Sequence, residues 1–298
     1  MVHESAPLWV LFWKGLGRMD DRLETLVRQV RDLPALPAAV VRVMQLTDDP
    51  KAGTADVARA LASDQALAVR VLKLANSAFY GSSRRISTVS EAVTTLGMRT
   101  TRNLVMATSC QEMLEQDVVG YALPPGALWR HSLACACAAQ ALAQRARYRA
   151  TEEAFVAGLL HDIGKVVLNT YLKGQFARVL LHALGSNITF AEAEREVLGF
   201  DHAEAGARLL ERWNLPSSLV TAVRWHHAPL GSPAPSLLPC LVHVADAICL
   251  TLGIGLGLDG LAYTLHPEAL DTLGLTPADF EQVASQTCDT LAQAGPVF

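Results

Sequence analysis

The sequence predicts an all-α protein, and three observations carry that prediction. Apolar residues recur at intervals of three and four almost throughout, which is the spacing that lines one face of a helix. Alternating β-branched stretches are nearly absent. The composition is 51% hydrophobic, 6% aromatic and 18% charged, rich in Ala, Leu and Val, and it suits helices packed on helices. A chain of 298 residues can bury one large core or two smaller ones.

Residues 1–20 read as a tail. Their apolar stretch from Pro7 to Trp13 is far shorter than the roughly 20 residues that span a bilayer, and His3 and Glu4 precede it where a signal peptide would carry basic residues. Met19 offers an alternative start. A helix follows from Asp21, broken at "LPALP", with another over Ala38–Leu46. Thr54 or Asp56 can cap the next helix, and Ser63 or Asp64 the one after it. "YGSSRRIST" is a loop, and "VSEAVTTLG" and "RTTRNLVMATSCQEML" are two further helices. "ALPPG" at 122–126 is the clearest internal breaker, so the chain divides into a first helical lobe over 21–125 and a second over 126–298. Helices are expected there at about 127–146, 152–172, 174–185, 189–198, 201–213, 216–227 and 236–252. A Gly/Leu-rich loop, a short helix and a last helix over 277–293 close the chain.

The bulk numbers remove some functions. A net charge of -4 and a pI near 6.1 give no global pull toward nucleic acid or anionic membrane. No run is long, apolar and charge-free enough to span a bilayer. Six cysteines stand at 110, 135, 137, 240, 249 and 288, without a CxxC, and Cys135-Ala-Cys137 has the wrong spacing for a zinc knuckle. Reduced, buried thiols in a cytoplasmic protein are the expectation.

Chemistry concentrates after residue 126. "VAGLLHDIGKVVL" reads as a helix built for burial, yet it carries His161, Asp162 and Lys165. A buried carboxylate is costly unless a partner or a cation offsets it. His131 shares a face with Cys135, Ala138 and Leu142; His202 lies in line with Gly206, Leu209 and Trp213; His226 lies on the Leu219/Ala222/Val223 face, with His227 beside it. Asp246 aligns with Val242 and Cys249. Any one of these alone would pass for a core residue with a single hydrogen bond, and His3, His182, His243 and His266 are read that way or as surface residues. Together, His131, His161, Asp162, His202, His226, His227 and Asp246 bring imidazoles and carboxylates from five helices, as one or two transition-metal ions require.

In order and rough spacing these residues resemble the metal signature of the HD superfamily of phosphohydrolases, named for its His–Asp doublet. "LPALPAAVVRVMQLTDDP", "LASDQALAVRVLKLANSAFYGSSRRISTVSEAVTTLG" and "LLERWNLPSSLVTAVRWHHAP" resemble the HDOD family, the HD-related output domains of bacterial signalling proteins, from about residue 24 to 250. The resemblance implies an N-terminal helical lobe packed on an HD-like bundle, and a regulatory role. It also favours a dinuclear site of iron or manganese, with zinc or nickel compatible with the same donors. The "GYP" that follows the paired His in cyclic-dinucleotide phosphodiesterases is absent; the chain reads "APLGSPAPS" after His227.

Two functions follow as expectations. The first is a signal-transduction output module with a signalling-protein partner and a retained metal site. The second is a metal-dependent phosphohydrolase acting on a nucleotide or other phosphoester. In it Asp162 would bridge the ions and Lys165 would either offset phosphate charge or pair with Asp162. Near these ligands only Lys165, Arg130 and Arg224 are basic, a thin set for holding phosphate. Nucleic-acid binding through Arg84, Arg85, Arg99 and Arg102 ranks third, because the chain is slightly acidic.

Overall fold

A computed structural model describes residues 35–76, 85–171, 175–233, 236–257, 260 and 263–294. The predicted tail, the helix expected from Asp21 and most of the "YGSSRRIST" loop with Arg84 lie outside them. Among the described residues there is no strand, only an isolated bridge between Val118 and Leu123, so the fold is all-α.

Helices α1 (Ala38–Asp48), α2 (Thr54–Ala62) and α3 (Gln65–Ala75) pack against the long α4 (Val89–Leu114). The Asp64 carboxylate accepts the Leu67 amide and so caps α3 as expected, whereas α2 is capped at Gly53, whose N–H donates to Asp56. The two helices predicted from "VSEAVTTLG" and "RTTRNLVMATSCQEML" meet at Gly97, whose φ of 81° and ψ of 163° are open only to glycine and break the helix there. The second half of α4 carries Leu104, Val105, Met106 and Ala107, all fully buried, and leads toward the helices that follow Gly126.

Those helices are α5 (Ala127–Arg145), α6 (Thr151–Leu160), α7 (Ile163–Tyr171), α8 (Phe176–Ser186), α9 (Phe190–Leu198), α10 (His202–Arg212), α11 (Ser217–Trp225) and α12 (Leu237–Thr251). The short α13 (Pro267–Leu273) and α14 (Pro277–Ala294) follow. Helices α5, α6 and α12 pack on one another, α7 packs on α10, α10 on α11, and α14 lies along α5. Two predicted spans need correction. The helix expected over 152–172 is two helices that turn at His161–Asp162, and the one expected over 216–227 ends before its histidine pair.

A close approach accounts for the first turn. A Cβ at Gly164 would collide with the His202 carbonyl, and at 2.6 Å with the Gly206 amide nitrogen, so glycine lets α7 rest backbone-to-backbone on α10. One continuous cluster of buried apolar side chains runs from Leu36 to Val283. No helix among the described residues is long and apolar enough to cross a membrane, and none of the six cysteines is in a disulfide.

Candidate metal centre

The seven residues singled out in the sequence converge. His131 projects from α5, His161 and Asp162 form the α6–α7 turn, His202 opens α10, His226 and His227 follow α11, and Asp246 lies in α12. Six of them are at most 4% exposed, and His227 is half-buried, so the cluster is sealed except on its His227 side.

Four imidazoles are held by their outer nitrogen. Nδ1–H of His131 donates to Ile254 O at 2.9 Å, that of His161 to Gly158 O at 2.7 Å, and that of His226 to Val223 O at 2.7 Å. His202 donates Nδ1–H to Glu194 Oε2 at 2.6 Å, and its backbone N–H donates to the same oxygen at 3.0 Å. These bonds hold each ring with its Nε2 facing inward, the orientation that outer partners impose on metal-ligating histidines.

Inside, the two oxygens of Asp162 face different neighbours. Oδ2 lies 3.5 Å from His131 Nε2 and 3.3 Å from His161 Nε2, while Oδ1 lies 3.4 Å from His202 Nε2 and 3.8 Å from His226 Nε2. Asp246 Oδ1 is 3.1 Å from His131 Nε2, and the Nε2 atoms of His202 and His227 are 2.7 Å apart. Asp162 Oδ1 and His226 Nε2 are buried without a hydrogen-bond partner.

The electrostatics divide the histidines into two groups. Burial alone would lower the His131 imidazole, but the hydrogen bond and charge of Asp246 raise it to about 9. Against the same burial penalty the Glu194 carboxylate raises His202 to about 9. Burial and the neighbouring His161 hold His226 well below the ordinary histidine value, and burial does the same at His227. Burial would raise the Asp162 carboxyl, yet His161 and Lys165 hold it well below its usual range.

The donor set fits metal. His131, His161 and Asp162 form one group whose donor atoms lie within 4.8 Å of one another, His161, His226 and Asp246 a second, and His202, His226 and His227 a third. Inward-facing imidazole nitrogens and two carboxylates, with Asp162 Oδ1 and His226 Nε2 buried and unpartnered, form a mixed imidazole–carboxylate set that could hold a metal ion.

Lys165 is buried, pairs with Asp162, and sits 5.6 Å from the centroid of the Tyr121 ring. Of its two expected roles the ion pair is thus formed. Arg130 is exposed and Arg224 is engaged by Glu204 and Glu211, so neither serves the cluster. His243 is a core residue, donating Nδ1–H to His226 O at 2.7 Å, and His182 pairs with Glu196.

Sequence reasoning missed Glu194. It is fully buried in α9, holds His202 and accepts the Tyr121 hydroxyl. Its signal was present: Glu194 lies four residues from both Phe190 and Leu198, on the apolar face of the helix. Arg195 was missed as well. It pairs with Asp201 and lines a cavity of about 710 Å³ that reaches His202 and His227 between Phe190, Tyr263 and His266.

The HDOD domain family model matches residues 33–229, about two-thirds of the chain. The chain belongs to the HDOD domain family. It resembles the crystal structure of an HDOD domain protein of unknown function from Geobacter sulfurreducens, at 28% identity and a TM-score of 0.74, covering 94% of this chain and 99% of that one. A Shewanella amazonensis protein described as a candidate phosphohydrolase matches at 26% identity and a TM-score of 0.70, over 91% of this chain and 98% of that one. A candidate signal transduction protein from Marinobacter aquaeolei matches at 27% identity and a TM-score of 0.70, over 94% of this HDOD chain and 61% of that chain. An uncharacterized Treponema pallidum protein is 27% identical over 204 residues, a match that spans 68% of this chain and 39% of that protein.

Proposed function

We propose that this HDOD protein is a signal-transduction output module, working through a protein partner, whose second lobe keeps an HD-type centre for two divalent transition ions. The observation that carries the metal reading is Asp162, which turns Oδ2 toward His131 and His161 and Oδ1 toward His202 and His226. A carboxylate so placed can serve two ions. His131, His161 and Asp246 would complete one ion's ligands, and His202, His226 and His227 the other's, with iron or manganese favoured and zinc or nickel compatible. The name of the Marinobacter structure supports the signalling reading, and that of the Shewanella structure the alternative of phosphoester hydrolysis.

A bound ion would contribute Lewis acidity and acidify water. The chain's own part is to hold the ligand tautomers through Glu194 and three backbone carbonyls, and to keep bulk water out of a centre buried on every side but one. The test is metal analysis of protein purified without a metal-affinity column, for wild type, Asp162→Ala and His161→Ala. Metal in the wild type and its loss in both variants is expected. Near-zero metal in all three would overturn the reading.

A second reading, phosphoester hydrolysis, is favoured by the cavity that leads to His202 and His227 with Arg195 at its wall. It ranks second because Arg195 is already paired with Asp201 and Lys165 with Asp162. Little free positive charge therefore remains for a substrate phosphate.

A further inference from the structure

Lys165 is a lysine almost without access to water. It is 4% exposed, lies in the first turn of α7 and reaches back three residues to Asp162, whose Oδ2 accepts its ammonium. Its backbone N–H donates to Asp162 O at 2.9 Å, so one turn of chain fixes the pair. The ammonium also stands over the Tyr121 ring, 5.6 Å from its centroid, within the reach of a cation–π contact. A buried ammonium is costly, and it is kept charged by partners of this kind.

The ion pair uses an oxygen that a metal would need. Oδ2 is the Asp162 oxygen that faces His131 and His161, while Oδ1 is buried without a hydrogen-bond partner. An ion bound through Oδ2 must share that oxygen with the ammonium or displace it. The charge of Lys165 reaches further, since it disfavours a positive charge at His202 and at His227. Lys165 thus opposes a cation on both sides of Asp162. It also supplies the positive charge that a buried carboxylate requires when no ion is there.

We propose that Lys165 is an internal counter-cation that competes with metal for Asp162. The inference rests on the metal reading above and adds a consequence to it. The ion is exchangeable, its occupancy follows the free-ion concentration, and a divalent cation is itself an input to this module. Without the ion, the ammonium holds the carboxylate and the fold does not depend on metal. With it, two positive charges contend for one oxygen. A packing role would need only the methylene stem of Lys165, and removing the charge would then leave metal binding no tighter.

The experiment compares the full chain as wild type, Lys165→Met, Asp162→Asn and the double variant. Methionine keeps most of the stem and removes the charge. Manganese affinity, measured by competition with a chromophoric chelator, should be about tenfold or more tighter in Lys165→Met than in wild type. Without metal, Lys165→Met should melt about 5 °C or more below wild type, because it strands the Asp162 carboxylate. Most of that loss should vanish when the same change is made in the Asp162→Asn background, where no charge is stranded. A Lys165→Met that folds only with metal is the limit of the same result. Equal or weaker manganese binding in Lys165→Met would overturn the proposal, and so would a melting loss of the same size in the Asp162→Asn background. Manganese bound by neither wild type nor Lys165→Met would overturn the metal reading itself, and this proposal with it.

Discussion

Glu194 Oε2 accepts both the ring Nδ1–H and the backbone N–H of His202, at 2.6 and 3.0 Å. One buried carboxylate oxygen thus sets both the position and the tautomer of a histidine whose other nitrogen faces Asp162. Loss of such an outer partner costs metal affinity by roughly 10- to 100-fold. Glu194→Gln should bring that loss, measured by competition with a chromophoric chelator. Folding should survive, because glutamine keeps the volume and can still accept the backbone bond. Undiminished affinity would remove Glu194 from the centre.

Metal should also stabilise the fold. An ion that binds the folded chain at a concentration 100 times its Kd adds about 2.7 kcal/mol. The melting temperature of manganese-loaded protein should therefore fall when the metal is chelated, and Asp162→Asn, close in shape to the native side chain, should show no such fall. An equal response in both proteins would mean that the metal acts elsewhere.

The backbone contact at Gly164 leads to a sharper contrast. Alanine there would press its Cβ into the His202 carbonyl, so Gly164→Ala should cost about 1–3 kcal/mol or more by denaturant titration and lower metal content with it. Gly185, in α8, has no atom within 4 Å of its would-be Cβ. Gly185→Ala should instead be neutral or stabilising by up to about 1 kcal/mol, as alanine for glycine inside a helix usually is.

The contrast also marks what the sequence could and could not tell. Helix class, the break at "ALPPG" and all seven clustered residues were legible because burial imposes a period, and polar residues stand out against it. The turn at His161–Asp162 was not, since "LLHDIGKVVL" keeps helical periodicity across it. Just after the turn Gly164 meets α10, about 40 residues away, and local pattern carries no trace of such a contact. Glu194 hid for a different reason. On its own helix it looks like one of several acids in "FAEAEREVL", and only the register against Phe190 and Leu198 turns it inward.

The lobes themselves should melt as one. Apolar burial is continuous from Leu36 to Val283, and α4 packs on α6 as well as on α1, α2 and α3. A single thermal transition is expected, together with no stable proteolytic fragment near 126–298. Two transitions, or recovery of that fragment folded, would make the lobes independent domains.

Catalysis is the reading most exposed to a direct test. A phosphohydrolase needs an acidified water, access for substrate and free positive groups to hold the phosphate. The cavity at His202 and His227 offers access, but its Arg195 is drawn to Asp201 at 2.7 Å and Lys165 to Asp162. Iron-, manganese- and nickel-loaded protein should therefore show little or no turnover on nucleotides, cyclic dinucleotides and generic phosphoesters, with Asp162→Ala as the blank. Freeing Arg195 by Asp201→Asn should raise any residual rate if that guanidinium is the missing phosphate holder, and Arg195→Ala should not. Turnover by the wild type above about 1 s⁻¹, within the ordinary enzymatic range, and abolished in Asp162→Ala, would reverse the ranking and make hydrolysis the working function of this centre.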